Sequence, residues 1–361
     1  MGTAAVAPLP ESAASFSTPA LVVDLDLFEA NVAAMASLLA GTAKTVRPHV
    51  KTHRTPELAR RQLGGSAVGV TCATVGEAEA MVEAGIDDLL IANEVVDPHK
   101  VARLAALADR ARIAVAVDDP GPLTTLSAEA ARVGATIDVL IDVDVLLHRG
   151  GIATPDEALT LAQAIDRAPG IRLRGLMGYE GRLRLNEPDR AARIAQAYER
   201  LAQMRMALVD AGFPVEVVSA AGTSTLTEAL ADPVITEVQA GVYAVMEPEL
   251  LNLDLPFRCA VAVRGMVISR HPGRIVVDVG RRVVGMEYGP PVPIGFDATR
   301  ISISDEHATI EMDDPLPALG ALVDLSPGQI RTTFNLHDHV WVSRGGQLVD
   351  RWPITARGSS Q

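Results

Sequence analysis

From Pro19 to about Met246, short runs rich in Val, Ile and Leu alternate with longer segments whose apolar residues recur at helical spacing. The short runs fall at 21–24, 45–49, 67–71, 89–92, 113–117, 137–142, 173–178 and 215–219. The longer ones include 27–39, 56–63, 76–84, 100–108, 155–165 and 189–209. Near-continuous branched residues suit parallel strands that are covered on both faces. Eight such alternations over roughly 230 residues fit a (β/α)8 TIM-type barrel better than a doubly wound open sheet. The glycine fingerprint that an open dinucleotide-binding sheet carries after its first strand is also absent. Past Leu250 the helical period disappears, and runs at 260–268, 274–278, 308–312, 340–343 and 348–354 are separated by Gly- and Pro-containing turns. The expected organisation is an α/β barrel over 18–250 followed by a C-terminal all-β domain over 251–361, which 1–17 either joins or leaves.

Composition narrows the partners. Hydrophobic residues make up 48% of the 361 and charged ones 21%, enough apolar surface for a full core. A formal charge of −13 argues against nucleic acid and anionic membranes as partners, while leaving room for local basic pockets. The two cysteines, Cys72 and Cys259, show neither disulfide nor zinc spacing, which suits a reducing cytoplasm. Residues 1–18 lack the basic start and apolar stretch of a signal peptide. No run reaches the roughly 18 apolar residues of a spanning helix. A soluble cytoplasmic protein acting on a small molecule is expected.

Polar residues recur where the apolar runs end, and a parallel barrel gathers such ends around one mouth. They include Thr71 to Thr74, Asn93-Glu94, Asp118-Asp119, Asp144 to Arg149, Tyr179-Glu180-Gly181 and Gly222-Thr223-Ser224. Lys51 stands among them in Arg47-Pro48-His49-Val50-Lys51-Thr52-His53. An amine in a partly desolvated pocket has its pKa lowered and attacks carbonyls, the chemistry of a Schiff base. An exposed lysine at a helix start is the ordinary alternative. His49 and His53 flank Lys51, and alternation along a strand would put His49 and Lys51 on one face. Gly222-Thr223-Ser224-Thr225 follows the eighth run and offers hydroxyls and backbone N–H groups to a phosphate, or a plain helix cap. Gly241 and Tyr243 could complete the same cup. Arg149 can grip a phenolate or carboxylate, and the Tyr179 phenol can reach a ring nitrogen. Surface arginine and half-buried strand tyrosine are the ordinary readings of those two.

Together these strings resemble the fold-type III pyridoxal-phosphate enzymes, in particular the D-threonine aldolase / D-serine dehydratase-like family within the alanine racemase superfamily. The likeness runs from Thr18-Pro19-Ala20-Leu21 to Trp352-Pro353. It is most specific at Arg47 to His53, at Cys72-Ala73-Thr74-Val75-Gly76-Glu77-Ala78-Glu79, at Tyr179-Glu180-Gly181 and at Asn335-Leu336-His337-Asp338. It implies that Lys51 carries pyridoxal 5'-phosphate, that Arg149 contacts its phenolate side and that Tyr179 faces its ring nitrogen. Gly222, Thr223, Ser224, Gly241 and Tyr243 would hold the phosphate. His307 matches a further family segment and is a candidate base or substrate contact. The family also implies a homodimer, paired head-to-tail.

Two departures stand out. The family's Gly-Gly-Gly-Thr-Gly-Thr loop is replaced by Ser219-Ala220-Ala221-Gly222-Thr223-Ser224. The family's divalent-metal pair, a histidine and a Cys or Asp two residues later, falls on Gln329 and Arg331 when the chain is aligned on Thr333-Phe334-Asn335-Leu336. Arginine stays protonated and repels a cation, so no divalent metal is expected there. His337 and His339, two residues apart on an expected strand, are the alternative chelating pair. The readings are then a lyase acting on D-configured β-hydroxy amino acids by retro-aldol cleavage or elimination, a metal-independent amino-acid racemase or epimerase, and a pyridoxal-phosphate-binding protein without turnover. In the first, Lys51 exchanges the bound amine, His49, His53 or His307 moves the proton, and Gln329 and Arg331 contact the substrate.

Overall fold

The computed structural model describes residues 17–181, 183 and 186–361. Two compact units are present. One comprises Leu38–Lys51, Gln62–Gly241 and Ser359–Gln361; the other comprises 17–37, Thr52–Arg61 and Val242–Gly358. Strand β1 (Ala20–Asp24) belongs to the second. The first holds eight parallel strands: β2 (Thr45–Val46), β3 (Val70–Cys72), β4 (Asp88–Glu94), β5 (Arg112–Val117), β6 (Ile137–Asp142), β7 (Ile171–Gly178), β8 (Val217–Ala220) and β9 (Glu237–Val238). They pair in the order β2-β9-β8-β7-β6-β5-β4-β3. Parallel bridges from Val46 to Ala67 and from His49 to Thr71 bring the two ends together. An eight-stranded parallel barrel, the architecture expected from the hydrophobic pattern, is observed.

Its interior follows from the two-residue period of a strand. Along β4 to β6, one face carries charged residues at the strand starts (Asp88, Arg112, Asp138), then small and apolar residues, then carboxylates at the strand ends (Glu94, Asp118, Asp142). The middle layer is the buried cluster of Leu90, Ala114, Ala116, Leu140 and Met177. The lower layer is ionic. Arg172 grips Asp138 with two bonds of 2.7 and 2.9 Å. Arg47, only 2% exposed, reaches Glu237 at 2.9 Å and Asp88 at 2.5 Å. A side chain at Gly69, whose φ is +157°, would collide with the Arg47 guanidinium, so only glycine lets that arm pass. Local signals place the outer helices. Thr74 caps the helix Val75–Glu83, Asp97 and Pro98 open Pro98–Ala108, and Thr154 with Glu157 forms a capping box on Pro155–Asp166.

One strand assignment is corrected. The run at 21–24 is not the first barrel strand: β1 pairs antiparallel with Val261–His271 and parallel with His339–Arg344. Its place in the barrel is taken by β9, whose two residues are too few to leave a periodic trace. A run of Val and Leu states that a strand is buried on both faces. It does not state which neighbours bury it.

The second unit carries a nine-stranded sheet that includes β1, with β10 (Val261–His271), β11 (Arg274–Val277), β12 (Val292–Ile294), β13 (Arg300–Ile303), β14 (Ala308–Glu311), β15 (Leu322–Ser326), β16 (His339–Arg344) and β17 (Gln347–Pro353). Its path runs β13-β14-β11-β10-β1-β16-β17, with β15 paired to both β10 and β12. The sequence shows β12 and β13 poorly because they are short and partly exposed. One helix, Ile330–Leu336, interrupts the strands where no helical period was read. At seven residues it spans barely two turns. Of residues 1–17, only Ser17 lies within the described residues. No helix among them is long and apolar enough to cross a membrane.

Candidate active site

The carboxylates at the ends of β4, β5 and β6 form the upper layer of the barrel interior. Asp142 is 7% exposed. Burial first, then the charge of Glu94 and a hydrogen bond with it, push its carboxyl up to about 8, with Asp118 adding to the shift and Arg149 opposing it. Asp118 accepts the N–H of Gly151 at 2.9 Å, and Asp144 accepts the N–H of His148 at 2.9 Å. These two bonds shape the loop that carries Arg149. Leu146 and His148 sit at φ of +75° and +55° there, conformations that only a well-anchored loop sustains.

A raised carboxyl pKa makes stability depend on pH. The folded chain holds the Asp142 proton between about pH 4 and about pH 8, where an unfolded carboxyl has lost it, so stability falls as pH rises through that window. Asp142→Asn cannot ionise and escapes this loss. Its unfolding free energy relative to wild type is expected to rise by on the order of 1–2 kcal/mol between about pH 5 and about pH 8.5. Urea titrations at both pH values check this, and a constant offset would contradict it.

Lys51 lies in a single 3-10 turn, Val50–Thr52, directly after His49 bridges to Thr71. The extended strand has ended by then, so the expected alternation of His49 and Lys51 on one strand face does not hold. The amine is nevertheless at the barrel mouth: Lys51 Nζ lies 5.7 Å from the centre of the Tyr179 ring. The guanidinium of Arg149 lies 5.8 Å from the same ring. Gly222 packs against it too, since a Cβ there would meet Tyr179 Cε2 at 3.5 Å. Lys51, Arg149, Tyr179 and Gly222 therefore converge around one aromatic ring. His49 is buried at 7% exposure in the same unit. Thr223 and Ser224 form a short 3-10 turn with Thr225 beyond Gly222, and Gly241 follows β9.

The remaining predicted residues belong to the second unit. His53 is fully buried, its ring edge-on to Phe334. Its Nδ1 accepts the Thr55 N–H at 3.1 Å, which leaves the proton of a neutral ring on Nε2. Tyr243 packs its ring 5.4 Å from that of Phe257. His307 is exposed in the turn between β13 and β14. Gln329 caps the helix Ile330–Leu336, its side-chain oxygen accepting the Thr332 N–H at 2.5 Å. Arg331 donates to the Tyr288 hydroxyl at 3.0 Å and lies 3.8 Å from the buried Glu247 carboxylate. His337 is not on a strand: it is the C-cap of that helix, and its Nε2 donates to the Val283 carbonyl at 2.8 Å. Burial lowers its pKa, keeping the ring neutral. His339 is exposed at the start of β16, while the His337 Nε2 is already bonded to a backbone carbonyl.

Two residues escaped the sequence reading. Asp142 was hidden inside an apolar run, although its even spacing from Asp138 and Leu140 puts it on the inner face. Glu180 was quoted beside Tyr179 without a role. It is 4% exposed and accepts hydrogen bonds from Thr225 Oγ1 and, at 3.3 Å, from the Tyr198 hydroxyl. A carboxyl between two loop ends is invisible to periodicity, because its partners lie 18 and 45 residues away.

An amine, a guanidinium, a phenol and a glycine-led hydroxyl turn at one barrel mouth suit a flat anionic cofactor with a reactive carbonyl. Comparisons with known proteins agree. The family model "Alanine racemase, N-terminal domain" matches residues 23–248, and a serine dehydratase domain model matches 260–343. The chain is 38% identical to D-threonine aldolase from Arthrobacter sp, over 96% of this chain and 94% of that one. It is 31% identical to 3-hydroxy-D-aspartate aldolase from Paracoccus denitrificans (strain Pd 1222), over 94% and 92% of the two chains. The crystal structure of D-threonine aldolase from Filomicrobium marinum superposes with a TM-score of 0.91 at 40% identity, covering 96% of this chain and 97% of that one. The chain belongs to the D-threonine aldolase / D-serine dehydratase-like family of fold-type III pyridoxal-phosphate enzymes, within the alanine racemase superfamily.

Proposed function

We propose that this chain is a pyridoxal-phosphate-dependent lyase acting on D-configured β-hydroxy amino acids, by Cα–Cβ cleavage or by loss of the β-hydroxyl. The observation that carries the reading is the convergence of Lys51 and Arg149 on the Tyr179 ring beside Gly222. The relatives named above act, by name, on D-threonine and 3-hydroxy-D-aspartate, both D-β-hydroxy amino acids. The residues present fit the cofactor. Lys51 would hold its carbonyl carbon, Arg149 its phenolate oxygen, Tyr179 its ring nitrogen, and Gly222, Thr223, Ser224, Gly241 and Tyr243 its phosphate. When bound, it supplies an electron sink for the charge that develops at Cα. A phenol such as Tyr179 at the ring nitrogen would leave it unprotonated and so temper that sink. Lys51 would release the cofactor's carbonyl carbon to the substrate's amine and take it back as product leaves. His49, two residues earlier on the chain, is a proton carrier in this reading, with His53 and His307 as further candidates. A reducing cytoplasm without nucleic-acid or membrane partners accords with the charge of −13 and two buried free cysteines, and the homodimer is what the family likeness implies.

A divalent metal does not fit the residues that occupy the family's metal positions. Gln329 spends its carbonyl oxygen on a helix cap, and Arg331 brings a permanent positive charge held by Tyr288 and Glu247. In this reading Arg331 grips the substrate's β-hydroxyl or side-chain anion where relatives use the metal. Activity is therefore expected to survive exhaustive chelation. Arg331→Ala is expected to lower kcat/KM about ten- to a hundred-fold while the visible cofactor band stays, the cost of one charge-assisted hydrogen bond. Bound stoichiometric metal with activity lost on its removal, or full kcat/KM in the variant, would refute this.

The deciding experiment is a panel of D- and L-amino acids with product mass analysis, with and without chelator. Aldehyde plus glycine indicates cleavage, and an α-keto acid plus ammonia indicates elimination. Inverted product carrying solvent deuterium at Cα would replace the lyase with a racemase, and no product from any amino acid would indicate a binding protein.

A further inference from the structure

We propose that Glu180 is a positioning residue that clasps the loop at the end of β8 to the end of β7 and so sets the geometry of the phosphate cup. The proposal rests on the cofactor reading above. Glu180 follows Tyr179 directly, and its carboxyl is buried beneath the next loop. Thr225 donates its hydroxyl hydrogen to Glu180 Oε1 and accepts the Gly222 N–H at 3.2 Å. The N–H of Ala221 also reaches the carboxyl, as does the hydroxyl of Tyr198 from the helix Arg190–Asp210. One side chain thus fixes Ala221, Gly222 (through Thr225) and Thr225 itself. The far end of the loop is held from the same helix: Arg190 donates to the Ser224 carbonyl and pairs with Glu228.

The loop needs such a clasp. Ala221 adopts a left-handed conformation at φ +66°, which an L side chain holds only when its surroundings over-determine it. The family's loop is glycine-rich in this stretch, so alanine at this position leaves the backbone less conformational freedom. Tyr179 and Gly222 are in contact, so the clasp also ties the residue facing the cofactor's ring nitrogen to the residue facing its phosphate. Burial pushes the Glu180 carboxyl toward its protonated form, and a phosphate placed above it would act in the same direction. A neutral amide can therefore stand in for it.

The test compares two probes that differ only in the phosphate: pyridoxal 5'-phosphate and pyridoxal. Each is titrated into the full-length chain after cofactor removal, with dissociation constants read from visible absorbance. In Glu180→Ala the constant for pyridoxal 5'-phosphate is expected to rise about ten-fold or more, while that for pyridoxal stays within about two-fold. Glu180→Gln, which keeps an acceptor for Thr225, is expected to restore most of the affinity. If Glu180→Ala does not fold, Thr225→Val removes the same bond from the loop side and is read in the same way. Equal losses for both probes, no loss for either, or a Gln variant as weak as the Ala variant would overturn the proposal. A wild-type chain that binds neither probe would overturn the cofactor reading and the clasp together. Wild-type binding with unmoved variants overturns the clasp alone.

Discussion

Lys51→Ala is expected to lower kcat/KM by ~10³-fold or more, on the order of 4 kcal/mol of transition-state stabilisation. The amine sits in the 3-10 turn at the barrel mouth, 5.7 Å from the Tyr179 ring centre, where Arg149 and the Gly222 loop also converge. The wild-type protein is expected to be yellow as purified, and borohydride is expected to fix the cofactor covalently on Lys51, as peptide mass analysis would show. The variant is expected to lose that covalent link while still binding the phosphate end weakly through the Gly222 loop. Fixation at a different lysine in Lys51→Ala, or near-normal turnover, would remove Lys51 from the chemistry.

Arg47→Ala is expected to cost about 3–5 kcal/mol of stability, because it strands a buried carboxylate rather than merely deleting a contact. Arg47 and Glu237 are 2% and 3% exposed, and the Glu237 carboxylate then keeps, among the described residues, the Ser219 hydroxyl at 2.6 Å. Asp88 loses its 2.5 Å partner as well, though it is more exposed and has Arg112 at 3.7 Å. Replacing both Arg47 and Glu237 by apolar residues of similar size is expected to recover most of the loss, since neither charge then remains buried alone. Urea unfolding of the three variants measures this. A loss below about 1 kcal/mol in the single variant would mean that water reaches Glu237. The same string, Arg47 to His53, thus does two jobs: its first residue anchors the barrel's ionic layer, and Lys51 serves the mouth.

Legibility of the site tracked the range of the interactions. The strings around Lys51, Arg149, Tyr179 and Gly222 could be read because each combines a local strand end with a residue type suited to one part of a cofactor. Arg331 could be read as a departure from the family's pattern. Its bond to Tyr288 could not, because 43 residues separate them. His337 was misread as a strand residue because a seven-residue helix carries too little periodicity to show itself.

By itself the sequence determined the alternation of strands and helices, the caps that start those helices, and the change to an all-β texture past Leu250. These are set by side-chain spacing and local hydrogen bonds, which act within a few residues. Only the tertiary structure decided that β1 joins the second sheet and that β9 completes the barrel. Strand partners are chosen by pairings between distant segments: Val22 lies beside both Ala262 and Trp341, and nothing in Val22 or its neighbours encodes either. The same holds for Asp142 and Glu180. Each is an unremarkable acid in the chain, and acquires a shifted proton or a clasping role because the barrel buries it against groups from other strands and loops.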